Sequence, residues 1–158
     1  MTDRAAPRQA LLEGRGAAFL ASQVGSHSSR LWNQRVEAIG LDSRQAMLLW
    51  NVALWEGRSQ HQLATVLHLP GSRIVELVDS LEAQGCLERR ISSGDRRTRE
   101  LHLTRSGRTL VDRITDIAVE HEDDLMRGLE QPERASLVAL LTKVARAQGL
   151  IPTVHPDF

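Results

Sequence analysis

The residues best suited to do chemistry lie in one stretch, SSGDRRTRELHLTRSG at 92–107. There Asp95-Arg96-Arg97-Thr98-Arg99 follows a glycine and precedes the alternating Leu101 and Leu103. Three guanidinium groups crowd one carboxylate. Exposed ion pairs contribute only about 0–1 kcal/mol to a fold, so arginines at a hairpin tip do little for stability. A solvated turn needs them only for solubility. A basic finger that reaches an anionic partner uses them all.

Other chemistries find less support. The chain contains no Gly-rich phosphate loop, Gly-x-Ser-x-Gly, His-Glu-x-x-His or Cys-x-x-Cys, so neither catalysis nor a cofactor is expected. His61, His68 and the run His121-Glu122-Asp123-Asp124 lack the tight spacing of a zinc site. The acidic run reads as a solvated helix face, and no metal is expected. Cys86 is the single cysteine, which excludes an intramolecular disulfide and fits a reducing compartment. Arg89 and Arg90 nearby would favour a thiolate and a redox-sensing role. Its place between Gly85 and Leu87, however, suits a small buried hydrophobe.

The whole chain is neutral, with 20 Lys+Arg against 20 Asp+Glu in 158 residues. A basic patch is the usual footprint of nucleic-acid binding, so the distribution of charge has to carry the argument. Between Arg89 and Arg113 stand eight arginines and no lysine, with acids at Asp95, Glu100 and Asp112, while EHEDD at 120–124 gathers acids elsewhere. The basicity is local. The length suits one domain. The first residues, MTDRAAPRQALLEGRG, are charged and lack an apolar leader core. No apolar run approaches the roughly 18 residues a membrane helix needs. A cytoplasmic protein with no membrane partner is expected.

The elements that must position the arginines follow from periodicity. A first helical region is expected over about 9–38, interrupted by Gly14, Gly16 and Gly25. In GLDSRQAMLLWNVALWEG, Asp42 or Ser43 caps a helix that is apolar on nearly every side and should be buried, and Gly57 stops it. Ser59 caps a short helix with Leu63, Val66 and Leu67, and His68-Leu69-Pro70-Gly71 makes a turn. A second helix, about 72–84, places Ile74, Leu77, Val78 and Leu81 at i, i+3, i+4 and i+7. Its exposed face is then Ser72, Arg73, Val75, Glu76, Asp79 and Ser80. Small polar residues and an arginine there suit a helix in the major groove, and Glu76 can accept from a cytosine amino group. Glu76 and Asp79 would also repel phosphates, and periodicity alone does not separate this helix from an ordinary amphipathic one.

CLERRI and RELHLT then bracket SSGD as a two-stranded hairpin. Thr104 or Ser106 caps a long helix over about 105–129. QPERASLVALLTKVARAQG is the last helix, with Pro132 in its first turn and a stripe of Leu137, Leu140, Leu141 and Val144. A helix-turn-helix followed by a basic hairpin is a winged helix, mainly α with a small β wing. In that arrangement an arginine at the wing suits the narrow minor groove. Asp95 is expected to hold a wing guanidinium by a charge-assisted bond.

LVDSLEAQGCLERRISSGDRRTRELHLTRSG resembles the signature of the MarR family of winged-helix transcriptional regulators. The matching elements are Leu81-Glu82 with Gly85, Asp95 with Arg97, and Leu101-x-Leu103-Thr104 with Gly107. The resemblance runs in helix order from about 24 to 147. It implies one winged-helix regulator domain over 1–158, with a DNA-binding lobe at about 40–104. The segments at about 9–38 and 105–150 would form a helical dimerisation region.

The implied protein is a homodimer on a pseudo-palindromic site in double-stranded DNA, acting as a repressor. Arg97 would enter the minor groove with Asp95 as anchor, and Arg96 and Arg99 beside it. Ser72, Arg73 and Glu76 would face bases or phosphates, with Ser59 and Gln60 at the backbone. Glu76 departs from the family, where a basic or neutral polar residue is more usual. The family also implies release by a small aromatic or anionic effector between the dimer helices and the lobes, for which His27, Arg30, Met47 and Trp50 are candidates. Two alternatives stand beside this reading. One is a winged-helix protein-interaction module with weak DNA binding, and the other is a redox-responsive regulator using Cys86.

Overall fold

The structure is a computed structural model that describes Gly14, residues 16–92 and residues 94–150. Its elements are α1 (Ala17–Glu37), α2 (Ser43–Leu54), α3 (Gln60–Leu67), α4 (Gly71–Ala83), β1 (Leu87–Ile91), β2 (Arg99–Leu103), α5 (Arg105–Leu125) and α6 (Gln131–Ala147). The part of the first expected helix before Gly14 lies outside the described residues. Helix α1 follows Gly16 and buries only Val36.

Local chemistry sets most of the boundaries. Asp42, rather than Ser43, caps α2: its carboxylate accepts from the Gln45 amide, while the Gln45 side chain accepts from the Asp42 amide. Ser59 and Gln62 repeat this reciprocal box at α3, satisfying amides that a helix start leaves without partners. His68 ends α3 in the left-handed region at φ 53°. Pro70 then leads into α4, which ends before Gly85 at φ +70°. Thr104 caps α5. That helix ends at Leu125 rather than about 129, because the chain turns through Gly128 at φ +95°.

The hairpin is antiparallel, pairing Leu87 with Leu103, Arg89 with Leu101 and Ile91 with Arg99. The α2–α3 connection lies against its other edge: the Gly57 amide donates to the Leu101 carbonyl, and the Leu101 amide donates to Arg58. One core holds the lobe together, built from Leu48, Leu49 and Val52 of α2, Leu63 and Leu67 of α3, the α4 stripe, Leu87, Leu101 and Ile114. Helix α2 is less enclosed than expected. Met47 and Trp50 are half-buried and Leu54 is exposed.

Helix α5 meets the hairpin base at Gly107, where a Cβ would sit 2.0 Å from the Cys86 carbonyl oxygen. Only glycine fits there. Helix α6, by contrast, has no buried residue. Among the described residues no helix is long and apolar enough to cross a membrane, and no group of three or more His, Cys, Asp or Glu is placed to hold a metal ion.

Candidate nucleic-acid interface

The candidate contact residues lie on the exposed face of α4 and at the wing tip between β1 and β2. Ser72, Val75, Glu76 and Asp79 are exposed while Ile74, Leu77, Val78 and Leu81 are buried, as expected, but Arg73 and Ser80 are half-buried, and Ser80 accepts from the Gln45 side chain at 2.9 Å. Arg73 reaches Glu76 at 3.5 Å across one turn, a long and exposed pairing that leaves both side chains presented outward.

At the wing tip, Arg96, Arg97 and Arg99 are exposed and have no ion-pair partner among the described residues. The expected Asp95–guanidinium bond is not formed. Asp95 Oδ1 accepts from the Arg97 amide at 2.9 Å, and Oδ2 accepts from the Thr98 hydroxyl at 2.9 Å. The carboxylate is short and two residues upstream, so it reaches the backbone first and closes an Asx turn. The Arg97 amide, then the Thr98 hydroxyl, holds the carboxyl below its ordinary pKa. Asp95 thus fixes the loop through its backbone and Thr98, and it holds none of the three guanidinium groups.

Gln60 was expected at a phosphate, but it turns inward. Its Oε1 accepts from Arg89 Nε at 2.9 Å, and its Nε2 is buried with no partner among the described residues. Ser59 stays at the α3 start, with its oxygen accepting from the Gln62 amide and its O–H still available to donate. Sequence reasoning also missed the role of Arg89. This side chain pairs with Asp79 and with Glu82, and its amide donates to Glu82 Oε1 at 3.3 Å. Asp79 and Glu82 are three residues apart on α4 and seven to ten from Arg89, a spacing that carries no periodic signal.

A second feature lies between α1, α2 and α5. A cleft of about 610 Å³ is lined by Trp32, Met47, Trp50 and His121, among others, with Glu37, Asp42 and Glu122 against Arg44 as its charged members. Met47 and Trp50 were expected there, whereas His27 and Arg30 are not among the lining residues. Trp32 and His121 take their place, meeting edge to face at 5.8 Å. His121 lies 2.9 Å from the Ser28 hydroxyl through Nε2, and its Nδ1 accepts from Arg35 Nη1 at 2.8 Å. Burial first, and then the Arg35 charge, pushes the imidazole pKa down; because Arg35 can only donate, Nδ1 is the acceptor and the ring proton lies on Nε2.

Cys86 is buried and burial pushes its thiol pKa up. That is the opposite of the exposed thiolate a redox sensor needs.

The MarR family model matches residues 39–98, from the loop before α2 to the wing. A transcriptional regulatory protein for the hcr operon of Thauera aromatica is 33% identical over 96 residues, covering 61% of this chain and 58% of that protein. The regulator PecS of Dickeya dadantii is 33% identical over 88 residues, covering 56% and 53%. The chain therefore spans somewhat over half the length of these relatives. In fold it is similar to a MarR mutant from E. coli solved with operator DNA, with a TM-score of 0.69 at 23% identity over 79% of this chain and 90% of that one. Over the winged lobe, this chain is therefore similar to the MarR family and to these regulators.

Proposed function

We propose that this chain is a sequence-specific DNA-binding transcriptional regulator, acting as a repressor and binding a pseudo-palindromic operator as a homodimer. In this reading α4 enters the major groove with Ser72, Arg73 and Glu76. The wing lies along the backbone with Arg97 in the minor groove, Arg96 and Arg99 flank it, and Ser59 donates to a phosphate. The observation that carries the reading is the wing tip: three exposed arginines without partners among the described residues, on a loop that Asp95 closes. Narrow minor grooves concentrate negative potential and attract such guanidinium groups.

The dimer reading rests on apolar surface that the single chain leaves open. Phe19, Leu20 and Val24 on α1 and Leu140, Leu141 and Val144 on α6 are all between 45% and 62% exposed, and a second copy is the natural cover for helical stripes of this kind. These helices, with α5, form the dimerisation region of this reading, and α2 to β2 form the DNA-binding lobe. An effector reading attaches to the cleft. Two indoles and Met47 suit an aromatic ring, and three carboxylates against one guanidinium suit a neutral or cationic aromatic better than an anion. Tryptophan fluorescence should respond saturably to benzylammonium; a tighter response to benzoate removes this assignment of charge.

The deciding experiment is fluorescence anisotropy with a duplex enriched from a random pool by this chain and a scrambled control, at two salt concentrations. The enriched duplex should bind more tightly, and binding should weaken steeply with salt. Arg97→Ala should cost roughly 1–3 kcal/mol of that binding and lower the salt slope by about one while the protein stays folded. Equal weak binding to both duplexes sinks the regulator reading, and an unchanged dissociation constant for Arg97→Ala sinks the wing role.

A further inference from the structure

The acids of α4 pose a problem for any helix that approaches phosphates. Glu76, Asp79 and Glu82 follow one another at three-residue intervals, with Arg73 as the only base on the helix. Two of these three acids, although solvent-accessible, are paired with a cation. Arg89, from the first wing strand, reaches back across α4: one terminal nitrogen meets Asp79, the other meets Glu82, and Nε meets Gln60 Oε1 at the start of α3. Its side chain is only 21% exposed. Arg90, the next residue on the strand, is exposed and pairs locally with Glu88, as the alternation of a strand requires.

A guanidinium offers five N–H donors in a fixed plane. At Arg89 three of them are committed to three partners on two helices, and few remain for a phosphate. The same group therefore does two things at once. It ties the wing to both helices of the helix-turn-helix, and it neutralises carboxylates that would otherwise repel DNA. We propose that Arg89 is a positioning residue that sets the angle between α4 and the wing and withdraws Asp79 and Glu82 from the DNA-facing field. This rests on the DNA-binding reading above, and it assigns Arg89 a role distinct from the outward arginines of the tip.

The test compares binding and salt dependence for the duplex enriched by the wild-type chain. Arg89→Met keeps the apolar stem and removes the fork. Affinity should fall roughly ten- to hundredfold, because two carboxylates lose their partner, while the salt slope changes by less than about half a unit because no phosphate contact is lost. Adding Asp79→Asn and Glu82→Gln to Arg89→Met should bring affinity back to within about fivefold of wild type, since the liberated charges are gone.

A slope that falls by about one, or a triple variant as weak as Arg89→Met, makes Arg89 a phosphate contact and overturns the proposal. If Arg89→Met loses its cooperative unfolding transition, the exchanged pair Arg89→Glu with Glu82→Arg is read instead. Recovery of tenfold or more over Arg89→Glu alone supports the proposal, and no recovery overturns it. A wild-type chain without preference for the enriched duplex removes both readings together. Binding that survives with no rescue removes only this one.

Discussion

Helices α4 and α6 carry the same pattern and meet opposite fates. Ile74, Leu77, Val78 and Leu81 repeat the spacing of Leu137, Leu140, Leu141 and Val144. The first four are buried, whereas α6 buries nothing and leaves Leu140 62% exposed. A helical stripe records that a partner is needed; it does not record which partner. In α4 the partners are α2, α3 and the hairpin of the same chain. In α6 they are not within the described chain, and the second copy proposed above would supply them.

Substitutions at matched positions sharpen that contrast. Leu81→Ala in α4 removes a side chain with no exposure and should cost about 2–5 kcal/mol in urea unfolding, independent of protein concentration. A cost below 1 kcal/mol would mean the lobe core is looser than its burial indicates. Gly107→Ala tests the junction between the two regions. Its methyl group would strike backbone, so a loss at or above the upper end of about 1–3 kcal/mol is expected, and a neutral result would show that α5 shifts freely on the hairpin.

Leu141→Ala is the counterpart in α6. At concentrations low enough to hold the chain monomeric it should change stability by less than about 0.5 kcal/mol, the usual range for a surface site. It should still weaken self-association in sedimentation equilibrium. Equal losses at Leu81 and Leu141 in the monomer would erase the contrast.

The smallest effect concerns the α1–α5 contact. The His121 pKa is depressed in the folded chain, so below about pH 6.5 the unfolded chain binds the proton more readily and stability falls with pH. His121→Gln should flatten this acid-side loss in thermal melts between pH 7.5 and pH 5. An undiminished slope places the titration elsewhere.

Much of the lobe was legible because its determinants are local. A cap three residues from its partner, a stripe at helical spacing and a glycine at a helix end can each be read along the chain, and Asp42, Ser59, Thr104 and Gly85 behave accordingly. The exposure of the candidate residues was legible, as at Ser72, Arg96 and Arg97. The site was not legible where a side chain chooses between partners. Asp95 took amides in place of a guanidinium, and Gln60 took Arg89 in place of the solvent side. The cleft was misread for a related reason. His121 and Ser28 meet across 93 residues, and the irregular apolar spacing of α1 gave no phase from which to choose Trp32 over His27 or Arg30.

The close approach at Gly107 has a mechanical consequence. With no slack between helix and strand, α5 behaves as a lever pinned near one end rather than a rod free to slide. About 27 Å of helix separates the pin from Leu125, at 1.5 Å per residue. A tilt of about 5° therefore sweeps the far end through roughly 2–3 Å. In the proposed dimer, a change of that angle in each chain would change the distance between the two wings.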